Sequence, residues 1–209
     1  VCSSDLVFGS GMMEFSAESP GELVAYGERA TGADAVYLGG AVGSMSTRAP
    51  KAPSDSGRVE ALGVALGKLV VAEAKDLEFT STADIASVGV PVSMPPMQMR
   101  PVSASWRISP LGAKLFGVPS EGWIQGVRVG SDLFFIGLPF DTSGEISRAW
   151  QQQAREQGID LWVTGFASAY CGYLSPDRYY YDEPLDYETG LMGWFGIPLN
   201  LETMVTSSI

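Results

Sequence analysis

Apolar residues recur at helical spacing in two long stretches of the chain. The first runs from about Gly57 to Lys75, and the second from Thr142 to Gln157. Apolar positions three or four residues apart fall on one face of a helix. They are Val59, Leu62, Leu66, Leu69 and Val70 in the first stretch, and Ile146, Trp150 and Ala154 in the second. The pattern predicts two helices, each with one buried face.

A third helix is indicated by boundary residues near the N-terminus. Ser19 can cap the first turn, Pro20 suits the first helical position, and Glu22 stands three residues after the cap. Gly32 is a natural stop. We therefore expect a helix from Ser19 to about Ala30.

Other segments favour strands. Trp123–Leu138 has the pattern of a hairpin turned at Gly130-Ser131-Asp132. The further β-leaning runs are Asp34–Leu38, Leu77–Val92 and Leu161–Phe166. Because helices and strands are interspersed, the sequence predicts an α/β fold, a mixed sheet flanked by helices.

Composition limits the class of protein. Of 209 residues, 45% are apolar and 18% are charged, enough for a packed core rather than a disordered chain. The net charge of −11 repels phosphate backbones, so we expect no nucleic-acid partner. No apolar run reaches the roughly 18–20 residues of a transmembrane helix.

Histidine and cysteine usage narrows the possible chemistry. The chain contains no histidine, so any histidine base or metal ligand would have to come from residues outside it. Two cysteines are too few for a disulfide framework, and Cys171 is most simply a small buried residue.

The first six residues differ in origin from the rest of the chain in our interpretation. Val1-Cys2-Ser3-Ser4-Asp5-Leu6 resembles the in-frame translation of a common sequencing adapter. A translated adapter is not part of the natural protein, so we expect residues 1–6 to play no role in its fold. We expect residues 7–209 to form part of a larger domain whose N-terminal portion lies upstream.

Three loops that follow β-leaning runs carry the candidate chemistry. Gly39–Thr47 combines glycines, which let backbone approach a ligand, with serine hydroxyls. Asp141 could bind a metal or act as a base, or could equally cap the following helix. The Tyr170–Glu188 loop could supply phenols to a metal or an oxyanion, although clustered tyrosines more often pack.

Taken together and in order, these loops resemble motifs of the neutral/alkaline non-lysosomal ceramidase family. The matching stretches are Gly40-Ala41-Val42-Gly43-Ser44-Met45-Ser46, Gly137-Leu138-Pro139-Phe140-Asp141, Gly165 to Tyr173, and Asp186-Tyr187-Glu188. The resemblance covers roughly residues 14–196. It implies that the chain is the C-terminal part of the catalytic domain of a ceramidase-like hydrolase.

The resemblance also implies roles for individual residues. Ser46 falls on the active-site serine, and Asp141 and Tyr173 fall on two ligands of a zinc ion. Tyr187 falls on the tyrosine that stabilises the oxyanion. The family's two histidine ligands would lie outside this chain. Asp141 is one methylene shorter than the family's glutamate, and Ser44 replaces an acidic or amide residue.

The implied activity is zinc-dependent cleavage of the N-acyl bond of ceramide or a related lipid amide, in a secreted or periplasmic enzyme. The substrate would be a lipid amide or a related small molecule, with peripheral membrane contact and no transmembrane segment. Without the histidines, we expect the chain alone to be inactive. Two alternatives stay open: a non-catalytic lipid- or carbohydrate-binding relative, and an unrelated α/β domain whose tyrosines simply pack.

Overall fold

The computed structural model describes residues 7–8, 15–79, 81–103, 105–109, 111–131, 133–181, 184–191, 193–195, 201–207 and 209. The chain divides into two compact units. The helical unit consists of residues up to Leu38 together with Ser46–Thr82, and the sheet unit is built mainly from Gly39–Met45 and Ala83–Ile209.

The helical unit contains two helices in close contact, α1 (Glu18–Thr31) and α2 (Asp55–Ala74). Glycines of α2 allow the close approach. A Cβ atom at Gly63 would stand 2.7 Å from the carbonyl oxygen of Ser19, and one at Gly67 would stand 2.7 Å from the ring of Tyr26. The small residues therefore determine how near the two helices lie.

The sheet unit holds the remaining elements. They are β1 (Ile85–Ser93), α3 (Gly112–Phe116), β2 (Glu121–Val129), β3 (Leu133–Gly137), β4 (Asp141–Thr142), α4 (Gly144–Arg155), β5 (Asp160–Thr164), β6 (Tyr173–Leu174), a 3₁₀ helix (Asp177–Tyr180), α5 (Tyr187–Gly190) and α6 (Leu201–Thr206). Four strands pair in the order β1-β2-β3-β5, and β4 pairs separately with β6. The first two pairings are antiparallel, whereas β3–β5 and β4–β6 are parallel. The expected mixed sheet is confirmed.

One face of the four-stranded sheet carries the core. Ile124, Leu161 and Val163 are buried there, and Ile146 of α4 belongs to the same apolar cluster. The opposite face presents Trp123 and Trp162 half-exposed to solvent. Helix α4 therefore covers the inner face, as its apolar spacing predicts.

Several sequence expectations are confirmed and two are wrong. The two long helices, the β2–β3 hairpin and strand β5 lie where predicted, and Gly32 ends α1 in the left-handed conformation. Asp34–Leu38 is not a strand, because strand-forming residues need a paired neighbour and the described sheet does not include this segment. Ser19 is not a cap: it is buried inside α1, whose cap position is Ala17.

No helix in the described part of the chain combines the length and the apolar character needed to cross a lipid bilayer. The longest helix, α2, has 20 residues and includes several charged side chains.

Candidate active site

Backbone hydrogen bonds bring three chemistry-bearing segments together beyond the carboxyl ends of β3 and β5. The N–H of Gly43 donates to the Thr142 carbonyl (2.9 Å), and the N–H of Asp141 donates to the Gly172 carbonyl (3.0 Å). The N–H of Ser143 donates to Leu174 (2.8 Å). The glycine-rich, aspartate-bearing and tyrosine-bearing segments thus form one backbone framework.

Glycine and serine in the first segment are needed for this close approach. A Cβ atom at Gly43 would stand only 2.5 Å from the carbonyl oxygen of Asp141. The Ser44 hydroxyl accepts hydrogen bonds from the N–H of Gly144 (3.0 Å) and from the Ser143 hydroxyl (3.1 Å). Ser44 therefore fastens its loop to the N-terminus of α4, where backbone N–H groups lack helical partners.

Asp141 and Tyr173 are direct partners in the two-stranded β4–β6 sheet. Paired residues of neighbouring strands project from the same face, which places the carboxylate beside the phenol. Asp141 is 8% exposed. It does not cap α4, because the side chain of Ser143 accepts from the N–H of Glu145 in that role. The structure thus excludes the helix-cap interpretation of Asp141.

Two further tyrosines complete the cluster around this pair. The rings of Tyr173 and Tyr187 meet edge to face, with centroids 5.8 Å apart. Tyr170 lies within electrostatic range of both Asp141 and Tyr187. The exposed side chain of Tyr187 leaves the cluster open to solvent on one side. The Asp141 carboxylate and three phenols therefore share a partly buried surface, with Glu188 within electrostatic range of Tyr173.

Burial and the nearby carboxylate favour protonated phenols in this cluster. Burial raises the pKa of Tyr170 to about 12, and the charge on Asp141 adds to the effect. The same two causes raise the pKa of Tyr173 above its ordinary value. A phenol that keeps its proton at neutral pH is a hydrogen-bond donor. Tyr170 and Tyr173 therefore offer O–H donors beside the Asp141 carboxylate.

A buried arginine holds the segment that carries Tyr187. The guanidinium of Arg100 donates to the carbonyls of Tyr180 (3.0 Å) and Thr189 (3.1 Å), and its backbone N–H donates to Gly190 (2.9 Å). These carbonyls lie at the carboxyl ends of the 3₁₀ helix and of α5, where a positive charge is favourable. Arg100 therefore ties Tyr180 to Thr189, on either side of Tyr187 in the chain.

The loop after β5 contains two residues in the left-handed conformation, Phe166 (φ 55°) and Ser168 (φ 65°). Non-glycine residues adopt this conformation at a cost, and such strain concentrates at functional sites. The ring of Phe166 stacks on Tyr170 with centroids 5.6 Å apart. The Ser168 hydroxyl donates to the Trp123 carbonyl (3.3 Å). These contacts tie the strained loop to Tyr170 and to strand β2.

The structure brings together three of the four residues predicted from the sequence: Asp141, Tyr173 and Tyr187. The fourth, Ser46, is exposed and is the first residue of the second segment of the helical unit. Sequence reasoning missed Tyr170 and Arg100. Tyr170 lies in a matched motif but had no assigned role, and an arginine within a proline-rich stretch carries no local signal of burial.

The donor set is too small for a complete zinc site. Among the described residues, no group of three or more His, Cys, Asp or Glu side chains could hold a metal ion. Asp141 and Tyr173 offer two oxygen donors on adjacent strands, whereas a catalytic zinc takes three protein ligands or more. The described residues therefore do not fit a zinc ion by themselves.

An apolar cleft of about 710 Å³ lies elsewhere in the sheet unit. It is lined by the inner face of β1, β2 and β3 and by α4, including Val88, Phe134 and Trp150. None of Asp141, Tyr173 and Tyr187 lines it. The tyrosine cluster is therefore not part of this cleft.

Two ceramidases are among the solved structures that match this chain in fold. The neutral ceramidase from Pseudomonas aeruginosa matches 98% of this chain with a TM-score of 0.70 and 17% identity. A ceramidase complexed with C2 matches 98% with a TM-score of 0.68 and 16% identity. The chain spans 41% and 43% of those two chains. No family model matches the sequence, and no curated protein matches it significantly. The chain has the fold of part of a neutral ceramidase, which confirms the predicted resemblance.

Proposed function

We propose that this chain supplies part of the active site of a zinc-dependent amide hydrolase, which cleaves the N-acyl bond of ceramide or a related lipid amide. One observation carries the proposal: Asp141 pairs directly with Tyr173, and Tyr187 lies against that tyrosine, on a chain with a neutral ceramidase fold. By the same resemblance, the whole enzyme would act outside the cytoplasm.

In this proposal, Asp141 and Tyr173 are two of four metal ligands, and two histidines outside this chain complete the set. A bound zinc ion would polarise the substrate carbonyl and lower the pKa of a bound water to about 7. Asp141 is one methylene shorter than glutamate, and its strand pairing with Tyr173 keeps the carboxylate beside the phenol.

Tyr187 is proposed to donate a hydrogen bond to the oxyanion formed when the amide carbonyl is attacked. Its exposed side chain can meet a substrate from solvent, and its edge-to-face contact with Tyr173 holds its ring in place. Ser46 is proposed to contact the substrate head group or to attack as nucleophile. Tyr170, which lies within electrostatic range of Asp141 and Tyr187, would help to hold the phenols of Tyr173 and Tyr187 in place.

The proposal predicts that this chain alone binds zinc poorly and hydrolyses no amide, because two oxygen donors are half of a tetrahedral set. Dialysis against metal-free buffer followed by elemental analysis measures the zinc retained. We expect far less than one equivalent. Stoichiometric zinc retained by the wild type but lost in Asp141→Asn would show that the chain holds a complete site.

The hydrolase proposal is tested on a polypeptide in which residues 1–6 are replaced by the natural coding sequence that precedes residue 7. We expect the extended protein to release fatty acid from ceramide. Tyr187→Phe should lower kcat roughly 10²–10³-fold, the usual cost of losing one oxyanion donor. Asp141→Asn should abolish activity at equal zinc concentration. Tyr181→Phe, at an exposed tyrosine outside the cluster, is the matched control and should leave kcat unchanged.

The non-catalytic alternative is favoured by one observation, the absence of histidine from the sequence. A lipid- or carbohydrate-binding relative would keep the fold and the tyrosine cluster without a metal. An extended protein that contains no paired histidines, binds a lipid amide and leaves it intact would establish this alternative and refute the hydrolase.

A further inference from the structure

Tyr180 is a fully buried tyrosine that contacts the strand carrying Tyr173. Its hydroxyl donates to the backbone carbonyl of Tyr173 (3.3 Å) and accepts a hydrogen bond from the N–H of Ser175 (3.4 Å). A buried hydroxyl with both a donor and an acceptor partner is held in one orientation. Tyr180 therefore fixes the backbone on which the phenol of Tyr173 stands.

Arg100 connects Tyr180 to the segment that carries Tyr187. Its buried guanidinium donates to the carbonyl of Tyr180 (3.0 Å) and to the carbonyl of Thr189 (3.1 Å). Tyr187 is the first residue of α5, and Thr189 lies in the same turn. Because the guanidinium is rigid and planar, the two carbonyls that it binds are held at a fixed separation.

The two helical segments joined in this way have little stability of their own. The 3₁₀ helix and α5 contain four residues each. A single turn fixes more backbone dihedral angles than its hydrogen bonds offset, so it persists only through tertiary contacts. Arg100 supplies such contacts to α5, through its side chain at Thr189 and through its backbone N–H at Gly190 (2.9 Å). We therefore expect the position of Tyr187 to depend on Arg100.

The two tyrosines at the ends of this connection also touch each other. The rings of Tyr173 and Tyr187 meet edge to face, with centroids 5.8 Å apart. Contacts thus run from the backbone of Tyr173 through Tyr180 and Arg100 to α5, and they close through the two rings. Such a closed set of contacts sets the spacing of the two phenols. In an active site, a displacement of about 1 Å can cost about 10²-fold in rate.

We propose that Arg100 and Tyr180 are positioning residues, which set the placement of the Tyr187 phenol relative to Tyr173 and thereby the rate of amide hydrolysis. Neither residue touches the substrate. The effect on rate rests on the proposed function, whereas the placement of the Tyr187 ring can be measured in this chain alone.

Fluorine NMR of the chain labelled with 3-fluorotyrosine measures that placement without any hydrolysis. Tyr187→Phe identifies the Tyr187 resonance. We expect Arg100→Lys to shift or broaden it, because an ammonium group lacks the planar fork that spans the two carbonyls. Arg148→Lys, at an exposed position of α4, should leave it unchanged. An unchanged Tyr187 resonance in folded Arg100→Lys would overturn the proposal.

Kinetics of the polypeptide that carries the natural sequence before residue 7 test the effect on rate. Arg100→Lys should lower kcat about 10–100-fold and change KM by less than about twofold. In a Tyr187→Phe background, the same substitution should lower kcat by less than about threefold, because the phenol that it places is already missing. Tyr180→Phe should lower kcat in both backgrounds, since it acts on the backbone of Tyr173.

Val92→Ala is the control for a general loss of stability, because Val92 is 7% exposed and belongs to the apolar core. It should lower the midpoint of thermal unfolding and leave both kcat and the Tyr187 resonance unchanged. Equal losses of kcat for Arg100→Lys in the two backgrounds would overturn the coupling to Tyr187. A wild-type extended protein that hydrolyses no lipid amide would refute the proposed function, and the Tyr187 resonance would still support or overturn the placement by Arg100.

Discussion

At the scale of single residues, the cost of the left-handed conformation at Ser168 can be measured. Asparagine tolerates this conformation better than serine, and the penalty for an ordinary residue is about 1–2 kcal/mol. We expect Ser168→Asn to stabilise the chain by about 0.5–1 kcal/mol, seen as a higher urea midpoint at constant m value. Ser168→Val should lower the midpoint, because a β-branched side chain fits this backbone worst.

Arg100 is the residue whose loss should be felt most in the tyrosine-bearing loop. Arg100→Met removes both guanidinium hydrogen bonds and leaves the carbonyls of Tyr180 and Thr189 without a buried donor. We expect a loss of about 2–4 kcal/mol in the free energy of unfolding. Arg148→Met, at an exposed position of α4, should change it by less than about 0.5 kcal/mol. A similar small loss at both positions would contradict the role given to Arg100.

At the scale of elements, the contact between α1 and α2 should make replacement of Gly63 by alanine destabilising, although alanine usually stabilises a helix relative to glycine. Alanine normally stabilises a helix by about 1 kcal/mol over glycine. At Gly63 the added Cβ would lie 2.7 Å from the Ser19 carbonyl, so Gly63→Ala should destabilise the chain. At Gly27 the nearest atom is 3.9 Å away, so Gly27→Ala should stabilise it. Thermal unfolding of the two variants should show shifts of opposite sign.

Long elements could be predicted from the sequence because their apolar periodicity extends over several turns or residue pairs. Helix α4 and the β2–β3 hairpin are examples. Strands β4 and β6 have two residues each, too few for alternation to be visible. Local sequence likewise left Asp141 undecided between a helix cap and a functional carboxylate, and the cap formed by Ser143 in the folded chain decides against Asp141 as the cap.

The site itself was predictable only in part. Motif order identified Asp141, Tyr173 and Tyr187, which the fold places side by side. Tyr170 and Arg100 act through contacts made across long sequence separations. Spacing along the chain cannot report such contacts, because they depend on how loops pack. The roles of Ser46, Asp141, Tyr173 and Tyr187 stay predictions, as do the boundaries of a domain over residues 7–209.

At the scale of the whole molecule, buried phenols make the free energy of unfolding change with pH in the alkaline range. Burial raises the pKa of Tyr180 to about 12, and burial raises that of Tyr170 to about 12 as well. In the unfolded chain these pKa values return to about 10. The folded state therefore binds protons more tightly, and its stability is full below about pH 10 and falls as pH rises towards 12.

Urea unfolding between pH 8 and pH 11 checks this dependence. We expect a constant midpoint up to about pH 9 and a decline above it, with each buried tyrosine contributing at most about 1.4 kcal/mol per pH unit. Tyr180→Phe should reduce the slope of that decline, whatever its effect at neutral pH. Tyr181→Phe, at an exposed position, should leave the slope unchanged. A flat profile to pH 11 would contradict the assignment.

The two-residue pairing of β4 with β6 has a consequence for evolution. A shift of one position would set Thr142, not Asp141, opposite Tyr173. Only Leu138–Phe140 separate β3 from β4, so a single insertion there would turn the carboxylate away from the phenol. Homologous genes should therefore tolerate no length change in that tripeptide, while gaining and losing codons more freely in the largely exposed stretch 48–53, which follows the glycine-rich segment.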